Sequence, residues 1–249
     1  MAELHGKQVV VVGGTSGFGL RVAELALAEG ASVVIGGRNA ERLDEALAQL
    51  GLQAAAHPEA TGEVRGSVVD ATSEASLKSF FAEAGQVDHL VSTVGGAMGG
   101  GFATSSLAQI QATVEHKVFD TLRVAQAAIP HLRAGSSVVF TAGTGGRPHT
   151  ASGAILGNDG IKTLAEGLAS ELAPKTRVNV VAPTWTVTPF WRDTPAEQVE
   201  ATKRYFEGAI PLGRTATIGE VAQVYLFLMK HDFITGQQIA VDGGVTLRG

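Results

Sequence analysis

Val9-Val10-Val11-Val12-Gly13-Gly14-Thr15-Ser16-Gly17-Phe18-Gly19 is the stretch that decides the fold. Four consecutive valines cannot alternate between core and water. They read as a strand buried on both faces, as in a parallel sheet. After the glycines, Val22, Leu25 and Ala26 share one helix face. A strand, a glycine turn and a helix together leave free N–H groups at a helix N-terminus, where an anion binds. Gly13 permits the tight turn. Gly17 and Gly19 admit a pyrophosphate and the neighbouring strand to close range. The strand before and the helix after separate this pattern from a plain turn. The expected contacts along it are Gly13, Thr15, Ser16, Gly17, Phe18 and Gly19.

The same alternation continues outward. Short β-branched runs fall at 8–12, 32–35, 63–69, 89–94, 136–141, 177–181 and 238–241. Helical patterns fall near 17–29, 39–50, 73–84, 105–132, 153–172 and 218–230. Seven such strands with intervening helices predict one doubly wound α/β domain over 1–249, a parallel sheet with helices on both faces. The segment 189–212 breaks the alternation and carries Phe190, Trp191, Tyr205 and Phe206. Beyond a strand's C-terminal end it would sit over the ligand crevice of such a sheet. It reads either as a substrate lid or as a packing loop or subunit contact.

The second strand ends Val33-Val34-Ile35-Gly36-Gly37-Arg38. A site for NAD usually has an acid here for the ribose 2′-hydroxyl. Arg38 instead suits a 2′-phosphate by charge and fork geometry. NADP(H) is therefore expected over NAD(H), unless Arg38 merely caps the next helix.

Composition narrows the remaining classes. Of 249 residues, 17% are charged against an average near 25%, and 45% are hydrophobic. That excludes an intrinsically disordered chain and hints at apolar surface covered in an oligomer. A net charge of −5 argues against nucleic acid as partner. No cysteine means no disulfide, thiolate metal site or cysteine nucleophile, and the 7 histidines show no paired ligand spacing, so no metal is expected. No apolar run is long enough to span a membrane, and the first residues are no signal peptide. A cytoplasmic protein acting on a small molecule is expected.

The ordered motifs resemble the short-chain dehydrogenases/reductases along the whole chain. Gly13-xxx-Gly17-x-Gly19 resembles that family's TGxxxGxG turn, with Val12 in place of Thr. Asp70-Ala71 is similar to the pair after the third strand, whose Asp contacts adenine. Asp88 to Gly95 resembles DxLVNNAG without the Asn pair. Pro183-Thr184-Trp185-Thr186-Val187-Thr188 resembles PGxxxT, with Thr184 replacing Gly. The resemblance implies a Rossmann fold, and cofactor contacts at Asp70, Ala71, Gly95, Pro183, Thr186 and Thr188. It also implies a homodimer or homotetramer formed through the helices at 105–132 and 153–172.

The catalytic residues depart from the family pattern. Its Tyr and Lys fall at Ala154 and Asn158, its Ser at or near Gly143, and its Asn at Lys117. The only tyrosines, Tyr205 and Tyr225, lie elsewhere in sequence. This resembles a divergent branch that lacks the triad and carries an Arg-Pro pair, here Arg147-Pro148. Some members of that branch perform imine reduction and cyclisation. Without Tyr, ketone reduction lacks its usual proton source, so a substrate that needs no strong acid is expected first: an imine or iminium, or an activated C=C, with a carbonyl of a small organic molecule kept open.

Three residues are candidates to act in place of the triad. Lys117 sits at the edge of the core-facing stripe of its helix, in line with Ile110 and Val124. It is either a cation near the nicotinamide pocket, a snorkelling stem with a wet ammonium, or a subunit contact. Thr141 is expected on the same side of its strand as Gly143, where its hydroxyl either replaces the missing Ser or belongs to an ordinary packed strand residue. Asn158 falls on the Ile161/Leu168 side of its helix, as a ribose contact or a helix cap. Asp159 reads as solvated and His149 as a loop residue. The leading expectation is an NADP(H)-dependent oxidoreductase with an atypical site. The alternative is a non-redox protein on the same fold: a cofactor-binding sensor or scaffold, or an isomerase or cyclase.

Overall fold

Alternation along each strand sends successive side chains to opposite layers. Val9 and Val11 pack with Val22, Leu43 and Tyr225 on one face of the sheet. Val10 and Val12 pack with Leu77, Phe81, Val124 and Ile161 on the other. A computed structural model describes residues 3–56 and 62–248 and shows the sheet these two cores enclose. Its strands are β1 (Gln8–Val12), β2 (Ser32–Gly37), β3 (Val64–Val68), β4 (Val87–Ser92), β5 (Leu132–Thr141), β6 (Thr176–Pro183) and β7 (Gln238–Val241). They run in the order β3-β2-β1-β4-β5-β6-β7, and every pairing is parallel. The strand order reverses between β1 and β4, which opens the crevice at their carboxyl ends.

The helices are α1 (Gly17–Ala28), α2 (Ala40–Ala56), α3 (Glu74–Ala84), α4 (Leu107–Val114), α5 (Asp120–Ala128), α6 (Ser152–Leu172), α7 (Ala196–Ala209) and α8 (Ile218–Lys230). No described helix is long and apolar enough to cross a membrane. α1, α2 and α8 cover one face; α3, α5 and α6 cover the other. The 189–212 segment holds a 3-10 turn at Pro189–Trp191 and then α7. Trp185 stacks on Trp191 and on Phe206 with ring centroids 5.9 and 5.6 Å apart, so the segment is pinned by aromatic contact.

One expected element is corrected. The single helix over 105–132 is replaced by α4, a π turn at Glu115–Phe119, α5 and a 3-10 turn at Ile129–His131. Pro130 has no N–H to donate and ends the helix. The π turn carries one residue more than an α turn. The face counted at about 100° per residue therefore slips at this point, and Lys117 moves from the edge of the stripe into the interior, 7% exposed.

Gly19 shows how tightly α1 is seated. A Cβ there would overlap the carbonyl oxygen of Gly13, a backbone atom that cannot rotate aside. Gly51 in α2 faces open space. Gly19→Ala is expected to lose on the order of 1–3 kcal/mol. Gly51→Ala is expected to gain up to about 1 kcal/mol from helix propensity alone. Urea unfolding of the two variants checks the contrast.

Candidate active site

The glycine turn closes against the second strand. Gly13 and Gly14 both donate their N–H to the Gly36 carbonyl, at 2.9 and 3.1 Å. Gly13 and Gly17 take φ of +89° and +57°, which favours glycine. Ser16 is the N-cap of α1, yet its side chain accepts no helix N–H, and the first turn of α1 carries no acid. The N-terminal N–H groups of α1 thus face the crevice with no capping side chain. Phe18 packs its ring on the core behind the turn.

At one end of the crevice, a Cβ on Gly37 would lie 2.5 Å from Thr15 Cγ2, so this glycine brings β2 against the turn. Arg38 follows, exposed. Asp70 accepts from the Thr72 N–H at 3.0 Å and the Thr72 hydroxyl at 2.8 Å. Those two bonds, with the Arg38 charge adding to them, hold its carboxyl below the usual range. Ala71 is buried beside it. The structure thus gathers Thr15, Arg38, Asp70 and Ala71 toward the β2–β3 side.

At the other end, Thr144 donates its N–H to the Pro183 carbonyl at 2.9 Å. The Thr186 hydroxyl donates to the Thr184 carbonyl at 3.0 Å, and Trp191 donates its indole N–H to the Thr186 carbonyl at 3.0 Å. Thr188 caps the 3-10 turn by accepting from the Phe190 N–H at 3.3 Å. A Cβ on Gly17 would lie 3.8 Å from the Thr188 Cβ, so the chain after β6 returns to the glycine turn. Among the described residues, three buried hydroxyls find no partner: Ser92, Thr144 and Thr184, at or just beyond the carboxyl ends of β4, β5 and β6. An unsatisfied buried hydroxyl costs about 1–3 kcal/mol, which a polar ligand in the crevice would relieve. The uncapped helix end and these hydroxyls fit a dinucleotide laid across the strand ends.

Lys117 and Asn158 meet at the centre. The Lys117 ammonium donates to Asn158 Oδ1 at 2.9 Å. A Cβ on Gly157 would sit 2.5 Å from Lys117 Cδ, so that glycine makes the channel for the lysine stem. A Cβ on Gly95, just past β4, would lie 3.9 Å from Lys117 Nζ. Burial pushes the ammonium pKa down to about 8. Neither the wet snorkelling ammonium nor the helix cap describes this pair. Gly143 also belongs here: a Cβ on it would lie 3.3 Å from the Asn158 amide.

Thr141 is not brought to this pair. Its hydroxyl donates to the Ser92 carbonyl at 2.7 Å and meets the Tyr225 hydroxyl at 2.7 Å. Tyr225 is fully buried in α8, on the opposite face of the sheet, and burial raises its pKa. The expected match of Thr141 with Gly143 fails because the chain leaves strand geometry after Thr141, so the two-residue period no longer applies. Asp159 and His149 are exposed. Arg147 donates to the Arg248 carbonyl at 2.6 Å, tying the loop after β5 to the C-terminal residues. The orphaned Ser92 and Thr144 were not legible beforehand. Thr184 carried one signal, the hydroxyl standing where the resembled motif has Gly.

The comparisons agree with this architecture. The family model described as "Enoyl-(Acyl carrier protein) reductase" matches residues 12–246. The short-chain dehydrogenase/reductase fsr5 of Gibberella fujikuroi is 31% identical, with 99% of this chain and 97% of that protein covered. Among solved structures, the MalC Reductase/Diels-Alderase from Malbranchea aurantiaca superposes with a TM-score of 0.87 at 28% identity, covering 98% of each chain. An actinorhodin polyketide ketoreductase with NADPH gives 0.81 at 27% identity, covering 98% of this chain and 99% of that one. The chain belongs to the short-chain dehydrogenase/reductase family of oxidoreductases.

Thr141→Val removes the acceptor of a buried phenol on the face away from the crevice. It is expected to cost about 1–3 kcal/mol in urea unfolding, with dinucleotide affinity unchanged. A loss of affinity at unchanged stability would assign Thr141 to the site instead.

Proposed function

We propose that this protein is an NADP(H)-dependent reductase whose proton donor is Lys117, held by Asn158. The observation that carries the reading is the buried ammonium hydrogen-bonded to Asn158 beside Gly95. Gly13, Thr15, Ser16, Gly17, Phe18, Gly19, Asp70 and Ala71 would hold the adenylyl half, and Gly95, Pro183, Thr186 and Thr188 the nicotinamide half. Bound there, the nicotinamide supplies hydride. The protein's own part is to orient the substrate and to manage charge. Lys117 sits in low dielectric, where its charge acts more strongly than in water. It would stabilise the negative oxygen that develops when a carbonyl or a conjugated C=C accepts hydride, and would then give up a proton to it. A pKa near 8 leaves Lys117 mostly protonated at neutral pH and willing to donate. An iminium is a poorer partner, because its positive charge would face the buried ammonium. Among the acceptors the sequence suggests, a neutral activated C=C or carbonyl is therefore favoured.

A second reading rests on a different observation. The relative described as a Reductase/Diels-Alderase joins a reduction and a cyclisation on this fold. A site that the resemblance leaves without a tyrosine, near the stacked rings of Trp185, Trp191 and Phe206, would suit a large apolar substrate that cyclises in place. Turnover of such a substrate without NADPH consumption would favour this reading. Leu107, Phe119 and Leu156, exposed on and between the helices α4 to α6, are suited to association of two copies through that layer.

The cofactor reading predicts that Arg38→Ala weakens NADPH binding about tenfold or more while leaving NADH binding nearly unchanged, as measured by calorimetric titration. The Lys117 reading predicts NADPH oxidation with an enone or ketone that declines as pH rises through about 8 and is lost in Lys117→Met. Retained turnover in that variant would overturn it. Stability should move the opposite way. The unfolded lysine titrates at its ordinary 10.5 and the folded one near 8, so between these values the unfolded state binds more protons and stability rises with pH. Below pH 8 the buried charge is a standing cost. Lys117→Met is accordingly expected to gain on the order of 1–3 kcal/mol at pH 7, a gain that shrinks from pH 8 to 10.5 in urea melts.

A further inference from the structure

Arg192 lies in the segment between β6 and α7, 176 residues along the chain from Ser16. Its guanidinium nevertheless donates to Ser16 Oγ at 3.1 Å. It forms no ion pair among the described residues. Ser16 is the N-cap of α1, and its hydroxyl serves this arginine rather than the helix. Two positive features thus stand side by side: the N-terminal end of a 12-residue helix with no acid in its first turn, and an arginine with no carboxylate. Such a pairing is unfavourable alone and favourable once an anion lies between them. The segment is placed for this. Thr188 and Pro189 lie 3.8 and 3.9 Å from where a Gly17 Cβ would be. Trp191, next to Arg192, is anchored by its indole N–H to Thr186 and by stacking on Trp185.

We propose that Arg192 is a ligand of the cofactor's pyrophosphate, carried by the aromatic segment 189–212. Dinucleotide binding at α1 then fixes the wall of the substrate pocket: the anion draws Arg192 down, and Trp191 follows its neighbour. This inference rests on the dinucleotide reading above but not on the choice between NADP(H) and NAD(H), because both carry the pyrophosphate.

Trp191 of this segment stacks on Trp185 just before it, and these are the chain's 2 tryptophans. Their emission and its quenching by acrylamide report on the segment directly. Wild type, Arg192→Gln and Arg38→Ala are titrated with NADP+ and with NAD+, binding being followed in parallel by calorimetry. In wild type the bound dinucleotide is expected to change Trp emission and reduce quenching. In Arg192→Gln both dinucleotides should bind about tenfold more weakly, with the emission change absent even at saturation. In Arg38→Ala only NADP+ should weaken, and its emission change at saturation should persist. The exposed position of Arg192 predicts unchanged melting of the Gln variant. Wild-type affinity in Arg192→Gln, or a full emission change at saturation, would overturn the proposal. Binding of NAD+ alone would overturn the NADP(H) reading and leave Arg192 to be decided on the NAD+ titration. Binding of neither dinucleotide would overturn both.

Discussion

The contact between Gly19 and the carbonyl of Gly13 governs the rest of the molecule. It lets α1 lie directly against the turn that leaves β1, so the helix's N-terminal N–H groups open at the sheet's carboxyl edge. Any side chain at position 19 would lever the helix away from the strand. Gly13 and Gly14 then bond to Gly36, which locks the turn to β2. Gly37 in turn brings the end of that strand against Thr15. A handful of missing Cβ atoms thus sets the shape of the crevice on the β1–β2 side, and the valine core behind it holds that shape against thermal motion.

The site at the centre follows a different logic. Lys117 and Asn158 meet across two helices, with donor and acceptor in the reverse of the arrangement that the family resemblance implies for these positions. The ammonium moves to the helix that carries the π turn, and the amide moves to α6. The hydrogen bond between the positions is 2.9 Å, and Gly157 leaves room for the lysine stem. Such a buried charge works against stability, and groups of this kind cluster at functional sites. The neighbouring orphaned hydroxyls of Ser92, Thr144 and Thr184 point the same way. This end of the sheet is polar beyond what the fold requires.

Much of the fold was legible because parallel strands buried on both faces are written as continuous apolar runs. Gln238–Val241 and Gln8–Val12 were readable to the residue. The glycine turn was readable because its geometry requires specific residue types. The π turn was not, since its residues Glu115–Phe119 carry no local signature and the extra residue shows only as a slipped phase. That slip is why Lys117 looked like an edge residue. Thr141 was misplaced for a related reason: a period of two was carried past the end of the strand. α7 was hidden inside the segment 189–212, whose aromatic residues broke the alternation of strands and helices. The meeting of Arg192 with Ser16 depends on how a long excursion folds back, and no spacing in the sequence encodes it.

A π turn is what an α-helix becomes when one residue is inserted and the flanking turns keep their packing. Removing one residue between Glu115 and Phe119 would restore an ordinary helix and rotate everything on one side of it by roughly a quarter turn relative to the other. Position 117 then leaves the crevice while the hydrophobic stripe of α5 stays where it is. Evolution can therefore exchange which side chain this helix offers to the site by a change of length, with no substitution inside the site. Insertions and deletions at this turn, more than point changes beside it, are the natural place to look for how one scaffold moved between chemistries.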